Sequence, residues 1–315
     1  MPTTEPGAPS GFGGPPRAKQ LREALRLAHP SPECGLYALL DGARIPKLWV
    51  MLRELKVAHA CLFRESPKEN LTRVAPFLAG FDAAGDFVLW LAMQDTALEA
   101  ALFLFAVATP GELYKHLRRF LLVLDSAGKE NYLRFYDPRV LRPFVASSTD
   151  AEKQQFFGPV RRFLAYDPEA SDAAGKLLLS RWDAPAQTPR AGEVRAPSAT
   201  DKFRLSRQQE AGFDRDCTER YDKRCLAFLR QRYSSQLEKT TDAGVRALVN
   251  EAKELGPKLG LPSGRDIAII AELLVLGFPS EMRRKLESIA LKDRPRAVQL
   301  LRDRLMTNQR DAVSA

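Results

Sequence analysis

The stretch Asn131-Tyr132-Leu133-Arg134-Phe135-Tyr136-Asp137-Pro138-Arg139-Val140-Leu141-Arg142 reads as a strand that stops at a capped helix. Tyr132, Arg134 and Tyr136 alternate with Leu133 and Phe135, so opposite faces of an extended segment carry different chemistry. Asp137 then stands where an N-cap is wanted, its carboxylate able to accept the free amide protons of the first helical turn. Pro138 takes the next position, where a missing N–H is harmless and a preset φ helps. The chain must turn here.

Working outward toward the N-terminus, Leu21, Ala24, Leu25 and Ala28 recur at helical spacing and Pro30 ends the run. Gly35 to Asp41 is a short apolar strand closing on Asp41-Gly42. Leu48, Trp49, Leu52 and Leu55 mark one face of a helix over Ile45 to Lys56, opened by Pro46, and His59 to Phe63 reads as a second strand. That strand, helix, strand order predicts the start of a parallel crossover unit, with helices packed on a sheet. Ala75 to Phe81 is extended behind Pro76, Phe87 to Met93 reads as helical although a run this short suits a strand equally, and Ala101 to Val107 is a wholly apolar strand. Thr109 and Pro110 open a helix that turns Leu113, Leu117 and Phe120 inward. Leu121 to Leu124, the turn at Asp125 to Gly128 and Tyr132 to Tyr136 form a hairpin.

Beyond the opening stretch, Asp150 to Phe157 makes another helix, stopped by Gly158-Pro159, and Arg161 to Tyr166 with Lys176 to Trp182 form a closing pair of strands. From Asp183 onward Pro185, Pro189 and Pro197 stand among Ala, Gly, Thr and Gln with little to bury, which reads as a linker. Everything after it reads helical. Phe213, Cys217, Tyr221, Cys225 and Phe228 form one stripe, Thr241 or Asp242 caps a second helix, and Ile267 to Leu276 is apolar nearly all round, the expected centre of a bundle. The layout is therefore a disordered tail at 1–16, an α/β domain with a mixed sheet and flanking helices at 17–182, a Pro/Ala-rich linker at 183–205 and an all-α bundle at 206–315.

The chain has 315 residues, of which 45% are hydrophobic and 28% charged, globular values that suffice for about two domains. The formal net charge of +9 divides as +3 before Asp183 and +6 from there on, with acids interspersed throughout. A solvated surface of mixed sign is the reading this favours. The apolar runs at 97–108 and 267–278 are about twelve residues each, against about twenty needed to span hydrocarbon, so they belong in a core. Cys34, Cys61, Cys217 and Cys225 show no CxxC spacing; Cys217 and Cys225 lie about 12 Å apart along one helix, too far for a bridge. Reduced thiols and a cytoplasmic location follow as expectations, and the first residues lack the basic and apolar regions of an export signal.

A search for reactive chemistry finds little that converges. His29, His59 and His116 fall in unrelated elements without a metal-ligand spacing. Gly256-Pro257-Lys258-Leu259-Gly260 lacks the Gly-Lys-Ser/Thr ending of a phosphate loop. Asp41, Asp137 and Asp167 all follow apparent strands and could gather at one sheet edge as an acid/base or metal cluster, although each precedes Gly or Pro and suits a turn or cap. Arg134 and Arg139 could clamp an anion or pair with a buried carboxylate. Arg215, Arg220, Arg224 and Arg230 give the long helix after the linker a basic side suited to an interface. Asp214, Asp216, Glu219 and Asp222 interrupt it and count against nucleic acid. No cofactor or metal is expected. The competing classes are an enzyme acting on a nucleotide or phosphorylated substrate through Arg134, Asp137 and Arg139, and a basic helical nucleic-acid binder.

Arg134-Phe135-Tyr136-Asp137-Pro138-Arg139-Val140-Leu141 resembles the signature of the type VI secretion effector chaperones, also called adaptor proteins. Further pieces are similar to that family in the same order: Leu36 to Ala43, Ala60 to Phe63, Ala75 to Leu78, His116 to Arg119 and Phe156 to Pro159. The resemblance covers roughly Gly35 to Trp182. It implies a non-enzymatic adaptor that holds a cognate secreted effector and docks it on a VgrG-type spike protein, with Arg134, Tyr136, Asp137, Pro138 and Arg139 as structural or interface residues.

Overall fold

The computed structural model describes residues 15–63, 69–94, 96–168, 170–171, 176–186 and 202–314. Most of the expected tail at 1–16, and residues 187–201 of the expected linker, lie outside the described residues. The chain divides into two compact units, Met1–Phe213 and Asp214–Ala315. The first unit extends past Leu205, where the sequence reading ends the linker, and takes in the start of the following helix.

The first unit runs α1 (Pro15–Leu27), β1 (Gly35–Asp41), α2 (Leu48–Glu54), β2 (Ala58–Cys61), α3 (Glu69–Thr72), β3 (Pro76–Gly80), α4 (Asp86–Ala92), β4 (Ala101–Ala106), α5 (Pro110–Arg118), β5 (Leu122–Leu124), β6 (Glu130–Tyr132), α6 (Pro138–Ser147), α7 (Asp150–Phe157), β7 (Val160–Tyr166) and β8 (Leu179–Asp183). Six strands form one sheet in the order β2-β3-β1-β4-β7-β8, and β5 with β6 form a separate hairpin. The α/β class with a helical C-terminal part holds, but every pairing between these strands is antiparallel. The expected parallel crossover is corrected in an instructive way. β1 and β2 do run in the same direction around α2, yet β3 inserts between them and pairs antiparallel with both.

Alternation in the strands divides the apolar side chains between two layers. Ala38 and Leu40 of β1, Phe77 of β3 and Phe103 and Phe105 of β4 pack with Leu21 and Leu25 of α1, Leu48 and Leu52 of α2 and Phe87 and Leu91 of α4. On the other face Leu39, Leu78, Leu104 and Phe163 meet Leu113 and Leu117 of α5, Leu141 and Phe144 of α6 and Phe156 and Phe157 of α7. β4, Ala-Leu-Phe-Leu-Phe-Ala, is buried along its whole length because both its faces are covered. Helix starts follow local chemistry. Thr109 and Thr149 each close a capping box with the glutamate three residues on, Glu112 and Glu152.

The helical part contains α8 (Arg207–Arg232), α9 (Asp242–Lys258), α10 (Gly264–Val275), α11 (Ser280–Glu287) and α12 (Arg294–Ser314). As expected, α10 is central: Ile269, Ile270, Ala271, Glu272 and Leu273 are all buried. The expected stripe on α8 joins the helical core only at Tyr221 and Cys225, and Phe213 packs in the first unit instead. The core face of the helix is Tyr221, Cys225, Leu229 and Tyr233, whereas Cys217 is exposed and Phe228 is 40% exposed. A uniform spacing of four carries the face past Phe228, whose ring lies 5.9 Å from the Arg232 guanidinium carbon. Among the described residues no helix is long and apolar enough to cross a membrane.

Candidate functional site

β6 ends at Tyr132, so the strand expected to continue to Tyr136 is shorter. Leu133 to Asp137 instead makes a turn, closed by the Asp137 N–H donating to the Arg134 carbonyl at 2.9 Å. The reason is burial on more than one side: Leu133, Phe135 and Tyr136 are all buried in the same core, which a straight strand with alternating faces could not achieve. Asp137 caps α6 as expected, accepting from the Arg139 amide at 3.0 Å, and Pro138 opens the helix.

The stretch lies along the sheet edge where β1 and β7 both end, since both run antiparallel to β4. The three aspartates singled out in the sequence each meet an arginine of this stretch. Asp41, fully buried at the end of β1, accepts from Arg134 Nη2 at 2.5 Å and from the Ala43 amide at 3.0 Å. Asp137 accepts from Arg139 Nη2 at 2.6 Å and Nε at 3.0 Å. Asp167, just after β7, accepts from Arg142 Nη2 at 3.1 Å and from the Ser180 hydroxyl at 2.6 Å. A further pair joins Arg44, next to Asp41, to Glu99 at 3.2 Å. Among the described residues no group of histidine, cysteine, aspartate or glutamate side chains is placed to hold a metal ion.

The electrostatics match this pairing. Burial alone would push the Asp137 carboxyl up, but the hydrogen bonds and charge of Arg139 hold it below the usual carboxylate range. Asp167 lies below it too, because bonds from Ser180, the Ala170 amide and Arg142 outweigh its burial. The Tyr132 and Tyr136 hydroxyls are 3.4 Å apart, and burial raises both phenols, so both stay neutral at physiological pH. The Arg134 guanidinium carbon lies 5.8 Å from the Tyr136 ring centroid, and its side chain stays 42% exposed. The arrangement is a row of staples with solvated outer faces: two buried carboxylates and one half-buried, fixed by arginines that also present planar cationic surface.

The basic side of α8 is largely engaged. Arg220 pairs with Asp216 at 2.6 Å, and Arg224 Nε donates to the Arg220 carbonyl at 3.3 Å. Arg230 donates to Asp242 at 2.7 Å and to the carbonyls of Leu237 and Thr240, tying the end of α8 to the start of α9. Arg215 is exposed. His116 is half-buried, its Nε2 2.8 Å from the Phe156 carbonyl oxygen, and desolvation lowers its pKa to about 4. Sequence reasoning missed the Asp41–Arg134 pair, whose partners lie 93 residues apart, and the Arg44–Glu99 pair, which no local pattern announces.

Residues 36–155, from β1 to near the end of α7, match a family described as a domain of unknown function (DUF4123), which is associated with type VI secretion adaptor and chaperone roles. No curated protein and no solved structure matches the chain.

Proposed function

We propose that this chain is a non-enzymatic, cytoplasmic adaptor that binds a cognate type VI secretion effector and helps to load it onto a VgrG-type spike protein. The observation that carries the reading is the DUF4123 match together with the state of its signature edge. The groups that an enzyme would use there, Asp41, Asp137 and Asp167, are each tied to Arg134, Arg139 or Arg142. For Asp137 and Asp167, whose carboxyls are held below the usual range, such pairing makes a fixed structural charge and a poor proton acceptor. The outer faces of Arg134 and Arg139, 42% and 54% exposed, are the part of the edge left for a protein partner. In this scheme the α/β unit is a preorganised platform and the helical unit supplies a second surface, so two partners are held at once.

The test is affinity purification of the tagged full chain from its native host, followed by identification of co-purifying proteins. A secreted effector and a spike protein are the expected companions. Steady turnover of a nucleotide or phosphorylated compound by the pure protein, abolished by Asp137→Asn in a folded variant, overturns the reading. Truncation after Phe213, which leaves the first compact unit whole, should cost one of the two partners. Retention of both would defeat the two-surface scheme.

A further inference from the structure

Residues 202–213 span the end of the expected linker at 183–205 and the start of α8, and they are seated in the first unit. The seat has three parts. Along β5, the Leu124 amide donates to the Phe203 carbonyl at 2.9 Å and the Leu205 amide donates to the Leu124 carbonyl at 2.7 Å, so Arg204 forms a single parallel β-bridge with Leu124 of the hairpin. Beneath it is an aromatic floor. Phe203, 3% exposed, lies 5.2 Å from the Phe120 ring and 5.9 Å from Phe144, and Phe213 stacks on Phe144 at 6.3 Å.

Polar clamps surround the floor. Ser206 and Gln209 form a reciprocal cap at the start of α8, and the buried Gln209 Nε2 donates to the Ser148 hydroxyl at 2.8 Å. Glu210 grips the hairpin turn, accepting from both the amide and the hydroxyl of Ser126 at 2.7 Å, while Lys202 pairs with Glu130. Gly212 sits so close to Ser147 that a Cβ there would meet its Oγ at 2.5 Å.

The residues that form the seat, Phe120, Leu124, Ser126, Phe144, Ser147 and Ser148, all fall within the matched span 36–155, whereas the segment that fills it lies outside. We propose that residues 202–213 are a ligand carried in cis: a strap of extended bridge and helix start whose binding is independent of the covalent linker. It joins by a parallel β-bridge, an aromatic plug and a carboxylate clamp, and so moors the start of α8. The seat is then the docking position that this family's α/β unit offers to a C-terminal extension.

The test uses the full chain with a site-specific protease sequence placed between residues 190 and 198. After cleavage, the two pieces should co-elute at the mass of the intact chain and remain joined on dilution to low micromolar concentration. Phe203→Ser combined with Glu210→Ala should raise the dissociation constant of the cleaved pieces at least tenfold, with circular dichroism of the uncut variant unchanged. If the double variant does not fold, Glu210→Ala alone, at an exposed clamp, should raise it about threefold. Separation of the unsubstituted pieces at once after cleavage overturns the proposal. So does equal affinity in the substituted and unsubstituted chains.

Discussion

Asp41 has no solvent exposure, and its charge is tolerable because Arg134 and the Ala43 amide donate to it. Arg134→Ala leaves the fully buried Asp41 carboxylate with the Ala43 amide still donating but no counter-charge, and a urea titration should show a loss of about 2 kcal/mol. Arg139→Ala should cost less, about 1 kcal/mol, because Asp137 keeps its backbone cap bond and the lost guanidinium is half solvated. Gly158 has φ of 50°, and a Cβ there would meet the His116 ring at 2.3 Å, so Gly158→Ala should lose about 2–3 kcal/mol. Gly111→Ala is the control. It meets nothing within 4 Å in the first turn of α5, and should be neutral or stabilising by up to about 1 kcal/mol. His116 provides the pH test. Its folded pKa of about 4 lies below the ordinary 6.5, so the unfolded chain binds the extra proton first. The stability this neutral ring supports is fully present above pH 6.5, falls as the pH drops from there toward 4, and levels off below, by about 3 kcal/mol in all. Unfolding free energies measured across that window should lose this slope in His116→Asn.

At the scale of elements, local signals were the legible ones. Thr109 and Asp137 cap their helices as their positions in the sequence imply, and of the two candidates Thr241 and Asp242 it is Thr241 that caps α9, because a cap involves only residues within one turn. Thr109→Ala should therefore lower stability by about 1 kcal/mol in thermal unfolding, with no change in the native spectrum. Neighbours in the sheet were not legible. Strand, helix, strand correctly gave β1 and β2 the same direction, but nothing near either strand announces that β3 comes between them. The shortened β6 has the same origin: Leu133, Phe135 and Tyr136 obey the core they enter, and the alternation in sequence yields to it. On α8 the choice between Phe228 and Leu229 rested on a single step of three or four residues, which only packing against α9 and α10 decides.

For the molecule as a whole, the boundary that composition suggests differs from the one that packing makes. Pro and Ala mark the end of β8 well, but the aromatic floor under α6 and α7 is completed only by Phe203, Leu205 and Phe213. A chain cut after Phe213 should melt in one cooperative transition. A chain cut after Ala186 loses the burial of Phe203 and Leu205, about 2 kcal/mol each, a large part of ordinary domain stability. It should bind a hydrophobic dye and aggregate. The candidate edge was legible as a list of residues and opaque as an arrangement, since the arginines that neutralise Asp41 and Asp167 come from elsewhere in the chain. The late closing of the aromatic floor also bears on biosynthesis. Translation delivers the sheet and its two helical layers before residue 213 leaves the ribosome, so the nascent α/β unit waits with one side of Phe120 and Phe144 uncovered, a window in which holdase chaperones have a natural foothold.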